Sequence, residues 1–161
     1  MGYQTDFTGA FEITPTLREE HRAFLVKFTE TRRVARNVDP IYGVDGEWYV
    51  DGAGSFGQDH APNIANYNEP PSTQPNLWCQ WVSNEEGTEL AWDGGEKFYH
   101  YAEWLKYLNE QYLKPRGYTL SGDVRWQGEE PTDIGLLRVV DGTVRVLRGV
   151  VRFEYEEERE V

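Results

Sequence analysis

Three segments in the last third of the sequence set the fold class that we expect. They read YTLSGDVRW (118–126), IGLLRVV (134–140) and TVRVLRGVVRFEY (143–155). In the first segment apolar or aromatic residues alternate with polar ones, which is the period of a half-buried strand. Asp141-Gly142 favours a two-residue hairpin between the last two segments, and Gly149 shifts the alternation and predicts a bulge. We therefore predict three consecutive antiparallel strands.

Further strands are predicted earlier in the chain. Residues 3–13 alternate without a break, and Pro15 ends the pattern. Two short apolar segments, 77–82 and 88–92, flank a polar turn at 84–87 and read as a hairpin.

Two amphipathic helices are predicted between these strands. The first starts with the capping-box pair Thr16 and Glu19 and carries an apolar stripe at spacings of three and four: Leu17, His21, Phe24, Leu25 and Phe28. The second follows Asp93 as its cap, carries the stripe Phe98, Tyr101, Leu105, Leu108 and Tyr112, and ends at 114–117.

Residues 37–76 form a Gly- and Pro-rich insertion after the first helix. Within it, residues 41–50 predict a small hairpin on the turn Asp45-Gly46, and residues 51–76 predict a long surface loop. Residues 156–161 read as an acidic, solvated tail. We predict a single domain spanning 1–161.

The predicted fold class is α+β. The elements follow a βαββαβ-like order with an extra C-terminal hairpin, and the simplest packing is an antiparallel-rich sheet with both helices on one face.

The charge of the chain is uneven. It contains 28 acids and 16 Lys or Arg, a net charge of −12, and residues 37–103 alone carry twelve acids and one base. Such a field repels phosphate backbones and attracts basic surfaces, so we expect a protein partner with a basic surface and no direct binding of nucleic acid. The other reading of the charge is solubility alone.

Other features narrow the functional classes. One Cys and three separated His give no zinc pattern, and we expect neither a metal nor a cofactor. The sequence has no apolar run long enough to span a membrane and no signal-peptide pattern, so we expect a cytoplasmic protein. Cys79 lies within an apolar strand, and we interpret it as a buried structural residue.

Aromatic residues and nearby acids are the candidates for a binding surface. The chain has 23 aromatic rings, more than one helix stripe can bury. We therefore interpret part of them as a recognition surface, with a second small core as the alternative. The binding candidates are Trp78, Trp81, Trp104, Trp126, Asp45, Glu47, Asp51 and Asp59.

Three carboxylates are candidates for catalysis. Asp93, Glu96 and Glu129 lie at the ends of elements beside Trp92 and Trp126, and carboxylates between aromatic rings are typical of glycoside-cleaving sites. Asp93 as a helix cap and Glu96 as a first-turn acid have structural explanations as well.

Long motifs resemble a family of small proteins from bacteria and their phages. They are QPNLWCQW (74–81), WDGGEKFY (92–99), EWLKYL (103–108) and WQGE (126–129), and the opening MGYQTDFTG is similar too. The resemblance covers most of residues 1–140. This family has no assigned activity, so the resemblance implies no catalytic residue.

Two functions follow as hypotheses. The first is an acidic binding protein whose partner has a basic surface, such as a phage-type inhibitor of a nucleic-acid-handling or defence protein. The alternative is a small enzyme or a binder of a sugar or nucleotide, with a pocket of carboxylates and tryptophans under the long loop. A structural subunit of a larger assembly is a third reading.

Overall fold

The computed structural model describes residues 2–50 and 62–161. Its strands are β1 (Thr5–Thr8), β2 (Phe11–Thr14), β3 (Ala35–Arg36), β4 (Ile64–Asn66), β5 (Trp81–Ser83), β6 (Glu89–Trp92), β7 (Thr119–Gly128), β8 (Ile134–Val140) and β9 (Thr143–Arg148). Its helices are α1 (Glu19–Glu30) and α2 (Tyr101–Tyr107), and α2 continues as a π-helical segment, Leu108–Leu113.

Seven strands form one antiparallel sheet in the order β5-β6-β2-β7-β8-β9, with β1 also paired to β7. β3 and β4 form a separate two-stranded sheet. The α+β class predicted from the sequence is confirmed. No helix in the described parts of the chain is long and apolar enough to cross a membrane.

The strand predicted over residues 3–13 is divided into β1 and β2. At the interruption Gly9 lies against Asp123 of β7 and Gly122 of β7 lies against Ala10, and both glycines have positive φ, 108° and 123°. A Cβ on Gly9 would lie 3.0 Å from the Asp123 carbonyl oxygen, so only glycine fits this close approach. The bend lets β7 pair with β2 through Thr119–Ser121 and with β1 through Arg125–Gly128.

One face of the sheet carries the core, and both helices cover it. The buried sheet residues alternate along their strands as the sequence predicted; they include Phe7, Phe11, Ile13, Leu90, Leu120, Val124, Leu137 and Val139. Phe28 of α1 meets Trp104 of α2 edge to face at 5.8 Å between ring centroids. Phe24 of α1 stacks on Tyr112 at 4.9 Å. The two helices therefore pack on each other as well as on the sheet.

The predicted caps of both helices are wrong. Arg18, not Thr16, is the N-cap of α1, and no side chain accepts a hydrogen bond at this cap; the preceding Leu17 N–H donates to the Gly87 carbonyl at 2.9 Å. α2 begins at Tyr101, and the Asp93 side chain instead accepts from the Gly95 N–H at 2.7 Å. Positive φ at Lys97 and His100 keeps residues 94–100 from joining the helix.

The insertion differs from the predicted hairpin at 41–50. Two 3-10 turns replace it, Pro40–Tyr42 and Val44–Gly46, and Asp45 and Gly46 adopt positive φ within the second turn. Arg33 ties this segment to the core, because its Nη2 donates to the carbonyls of Glu47 and Tyr49, both at 2.8 Å. Burial of this guanidinium lowers its pKa to about 10. Residues 51–61 of the predicted 51–76 loop lie outside the described residues, and the prediction is wrong for Ile64–Asn66, which form β4 and pair with β3.

The last predicted strand is shorter than expected. β9 pairs in register with β8 from Thr143 to Arg148, and the final ladder bond joins Gly149 N–H to the Ile134 carbonyl at 2.8 Å. The predicted bulge at Gly149 is wrong, because β8 begins at Ile134 and no residue of it remains to pair further. Residues 149–161 are exposed and contain no helix or strand.

Stability is expected to fall in alkaline solution between about pH 10 and pH 12. Burial raises the pKa of Tyr101 and Tyr112 to about 12, and burial with the hydrogen bond to Glu47 raises the pKa of Tyr107. A folded-state pKa above that of the unfolded chain means that ionisation favours unfolding, so these three groups cost stability only as pH rises past 10. Arg33, whose folded pKa is lowered, opposes them over the same range.

The measurement for this prediction is the urea midpoint recorded across the alkaline range, together with the tyrosinate absorbance. Tyr107→Phe should reduce the loss of stability at alkaline pH. A midpoint that stays constant from neutral pH to pH 12 would contradict the prediction.

Candidate functional site

Two sequence motifs line one cavity of about 480 Å³, here called the motif cavity. Its seven lining residues are Asn76, Leu77, Trp78, Gln80, Glu96, Lys97 and Tyr99. All seven belong to the segments 74–81 and 92–99 that carry the family resemblance. The structure thus brings together two of the predicted site residues, Trp78 and Glu96.

Aromatic rings and charged side chains meet at this cavity. Trp78 is half-buried, and Tyr99 is 41% exposed while its Oη accepts from the Tyr3 N–H at 3.0 Å. Glu96 and Lys97 are exposed. A flat aromatic ring beside a carboxylate is an arrangement that binds cationic groups and also sugars.

The loop that supplies Glu96 and Tyr99 is held by side chains. The buried Gln80 donates through Nε2 to the Glu96 carbonyl at 2.8 Å and accepts at Oε1 from Trp92 Nε1 at 3.2 Å. Lys97 N–H donates to Gln4 Oε1 at 2.8 Å. Lys97 is held at φ 56°, a left-handed conformation that is uncommon outside glycine. The wall of the cavity is therefore fixed before any ligand arrives.

The three predicted catalytic carboxylates are not gathered in one site. Glu96 lines the motif cavity, whereas Asp93 and Glu129 do not. Partial burial raises the pKa of Asp93, although its hydrogen bond to the Gly95 N–H acts in the opposite direction. Glu129 Oε1 accepts from the Gln4 N–H at 2.8 Å. The cavity therefore offers one carboxylate, not the pair that glycoside cleavage requires.

Three of the four tryptophans predicted for recognition are in the core, so their expected exposure is wrong. Trp81 and Trp104 are fully buried, and Trp126 is 3% exposed. Trp81 Nε1 donates to the Tyr101 carbonyl at 2.9 Å, and Trp126 Nε1 donates to Asp133 Oδ1 at 2.9 Å. The rings belong to the main core beneath both helices, not to a second core under the loop.

The four acidic residues predicted for binding differ in where the structure places them. Glu47 is buried, where it accepts from Tyr107 Oη, from Thr73 Oγ1 at 3.0 Å and from the Val44 N–H at 2.9 Å, so its expected exposure is wrong. Asp45 is exposed and accepts from the Ser72 N–H at 3.1 Å. Asp51 and Asp59 lie outside the described residues.

A second cavity of about 380 Å³, here called the helix cavity, adjoins the same two segments of chain. It is lined by 72–75 on one side and by residues between His100 and Gln111 on the other, whereas the motif cavity is lined by 76–80 and 96–99. The two cavities are therefore neighbours between the same two segments of chain, 72–80 and 96–111. The helix cavity was not predicted from the sequence. The sequence feature that marks it is the series of charged residues Glu103, Lys106 and Glu110, which are exposed on the second helix.

Cys79 is not a nucleophile in this environment. It is fully buried, and burial raises the pKa of its thiol to about 12, so the reactive thiolate is not formed near neutral pH. Across residues 2–50 and 62–161, no group of three or more His, Cys, Asp or Glu side chains is placed to hold a metal ion.

Comparison with models of protein families, with curated proteins and with solved structures finds no match to this chain. The resemblance to small bacterial and phage proteins therefore stays a prediction that rests on the motifs.

Proposed function

We propose that the protein acts by binding a macromolecular partner with a basic surface, and that the motif cavity receives a cationic side chain of that partner. The observation that supports this is that Trp78, Tyr99 and Glu96 line one cavity, in a chain of net charge −12. The charge steers the approach of a basic protein, and ring and carboxylate contacts with an Arg or Lys side chain supply local affinity.

The class of partner that we propose is a cytoplasmic nucleic-acid-handling or defence protein, because such proteins carry basic surfaces for phosphate backbones. An acidic protein that occupies such a surface acts as an inhibitor. The resemblance to proteins of bacteria and their phages supports the same class.

Substitution of Lys97 tests this proposal, because the proposal predicts that the variant binds a basic partner more tightly than the wild type does. Lys97 is the one cationic residue among the described residues that line the cavity, and its charge opposes a bound cation, so Lys97→Gln should strengthen binding of a basic partner. Glu96→Gln should weaken that binding, and Trp78→Ala should weaken it roughly tenfold, as expected for an aromatic contact residue. Glu86→Gln removes an equal charge from the exposed turn between β5 and β6 and is the matched control.

The experiment is capture of partners from a bacterial lysate at low and high salt, followed by affinity measurements on the captured protein. The four variants and the wild type are compared side by side. Capture that does not respond to salt, or a Glu86→Gln variant that weakens binding as much as Glu96→Gln, would overturn the proposal.

A second candidate function is binding of a small polar ligand, either for recognition or for catalysis. The volume of the motif cavity lies within the range of small-molecule sites, and Asn76 and Gln80 add amide groups for hydrogen bonding. Nuclear magnetic resonance titration with simple sugars and with N-acetyl-arginine amide separates the two candidates. Shifts at Trp78 with the sugar alone would favour the second.

A further inference from the structure

In the part of the chain that the structure describes, no strand lies beside β9 on the side away from β8. Within residues 2–50 and 62–161, β8 is the only strand that pairs with β9. The following residues, VVRFEY (150–155), favour strands by composition, yet Phe153 is 76% exposed and Tyr155 is 86% exposed. Among the described residues, the sheet therefore has a free edge at β9, and the strand-forming segment directly after β9 pairs with no other strand.

The charge along this segment is self-complementary. Residues 143–152 contain Arg145, Arg148 and Arg152 and no acid, a net charge of +3. Residues 154–160 contain five Glu and one Arg, a net charge of −4. Two copies laid antiparallel bring the basic half of one against the acidic half of the other, whereas parallel copies would oppose like charges.

We propose that residues 145–157 of two copies of this chain pair antiparallel about Val151 and join their sheets across a two-fold axis. The occupant of the free edge is thus a second copy, and the interface is isologous. The antiparallel strand addition is the same kind of contact by which extended peptides extend an exposed sheet edge.

Backbone direction selects the register. Because Gly149 N–H bonds to Ile134, odd-numbered residues of this strand direct their hydrogen-bonding groups to β8 and even-numbered residues direct theirs to the free edge. Pairing about Val151 joins even with even and places Arg148 opposite Glu154. On the odd positions it places Arg145 opposite Glu157.

Neighbouring registers are less favourable. A shift of the pairing by two residues puts Arg148 opposite Arg152 in one direction, and Arg152 opposite itself in the other. Pairing about Val151 also places Phe153 over Gly149, where a ring covers the exposed backbone of a glycine, and Tyr155 beside Leu147. Charge and packing therefore favour the same register.

A cysteine scan tests the register. In pairing about Val151, the two copies of that residue face each other as a non-hydrogen-bonded pair with Cα atoms about 4.5 Å apart, within reach of a disulfide. Val151→Cys should form a covalent dimer under mild oxidation, and Val150→Cys, which faces Arg152, should do so much more slowly. The native Cys79 is buried and does not compete. Equal cross-linking of both variants would overturn the register.

Mass measurement tests the interface. Analytical ultracentrifugation of the wild type should show a dimer of twice the 18.7 kDa chain mass. Arg152→Pro removes an edge-facing N–H and should yield monomer, whereas Glu160→Pro, outside the paired span, should not. Thermal melts of both variants at low concentration check that the fold is intact. Wild type that is monomeric throughout a concentration series, or dimer that survives Arg152→Pro, would overturn the proposal.

Exchanging the charges of Arg148 and Glu154 tests whether this pair joins the two copies. Arg148→Glu places like charges opposite each other twice per dimer and should weaken dimerisation roughly tenfold. Adding Glu154→Arg to the same chain restores both opposed pairs and should restore the dimer. Failure of this double variant, beside a successful wild-type dimer, would assign the dimer to another surface.

Discussion

Trp81→Ala is expected to lower the free energy of unfolding by about 3–5 kcal/mol, the range for loss of a fully buried aromatic side chain. The Trp81 ring meets Phe7, Phe11 and Phe98 edge to face at centroid distances between 5.3 and 5.6 Å. Its indole also donates to the Tyr101 carbonyl at the start of α2. The substitution therefore leaves a cavity between sheet and helix and removes a hydrogen bond that joins them.

Urea denaturation followed by circular dichroism measures this effect. Trp78→Ala is the matched control, because Trp78 belongs to the same motif but is only half-buried at the motif cavity. We expect the control to lose much less stability. Equal losses for the two variants would mean that Trp81 does not have the central place in the core that the structure gives it.

Glu47→Ala is expected to lower the free energy of unfolding by about 2–4 kcal/mol, because it leaves several buried donors without an acceptor. The Glu47 carboxylate accepts from Tyr107, Thr73 and the Val44 N–H. Through these bonds the insertion after α1, the 72–75 segment and α2 meet at one side chain. Loss of the carboxylate therefore weakens the link between the insertion and the helix, where the Gln74–Tyr107 hydrogen bond and the Trp48–Tyr107 stacking remain.

Glu69→Ala is the control for this prediction, because Glu69 is an exposed carboxylate of the same insertion. Its effect should stay within about 0.5 kcal/mol, as for ordinary surface substitutions. Hydrogen exchange at Val44 should accelerate in Glu47→Ala and not in Glu69→Ala. Unchanged exchange at Val44 would contradict the role assigned to Glu47.

The sheet could be predicted from the sequence because alternation is a local signal. The segments 118–126 and 134–140 and the turn Asp141-Gly142 lie within or between β7, β8 and β9 as predicted. The true end of β9 could not be predicted in this way, because it depends on where its neighbour β8 begins. That is a property of pairing and not of composition.

The residue at which α2 begins and the motif cavity beside it could not be predicted from local sequence patterns either. Residues 94–100 match a helical stripe through Phe98, but Lys97 and His100 adopt left-handed conformations, and the Lys97 N–H donates to Gln4 from a distant part of the sequence. The exposure predicted for Trp81, Trp104 and Trp126 was wrong for a related reason. Composition gives the number of aromatic rings but does not show which of them the helices cover. Trp78 and Glu96 were predicted for different roles, and the structure places both in the lining of the motif cavity.

The contacts of Gln4 and Tyr3 with the 97–99 loop have a practical consequence. A Cβ on Gly2 would fall 2.5 Å from Lys97 Cδ and 2.6 Å from Tyr99 Oη, so the chain enters the fold directly beside the motif cavity. A purification tag fused ahead of Tyr3 would therefore shield the mouth of that cavity and depress any measured affinity. Surface immobilisation through the turn between β5 and β6 leaves both the cavity and the free edge of β9 accessible.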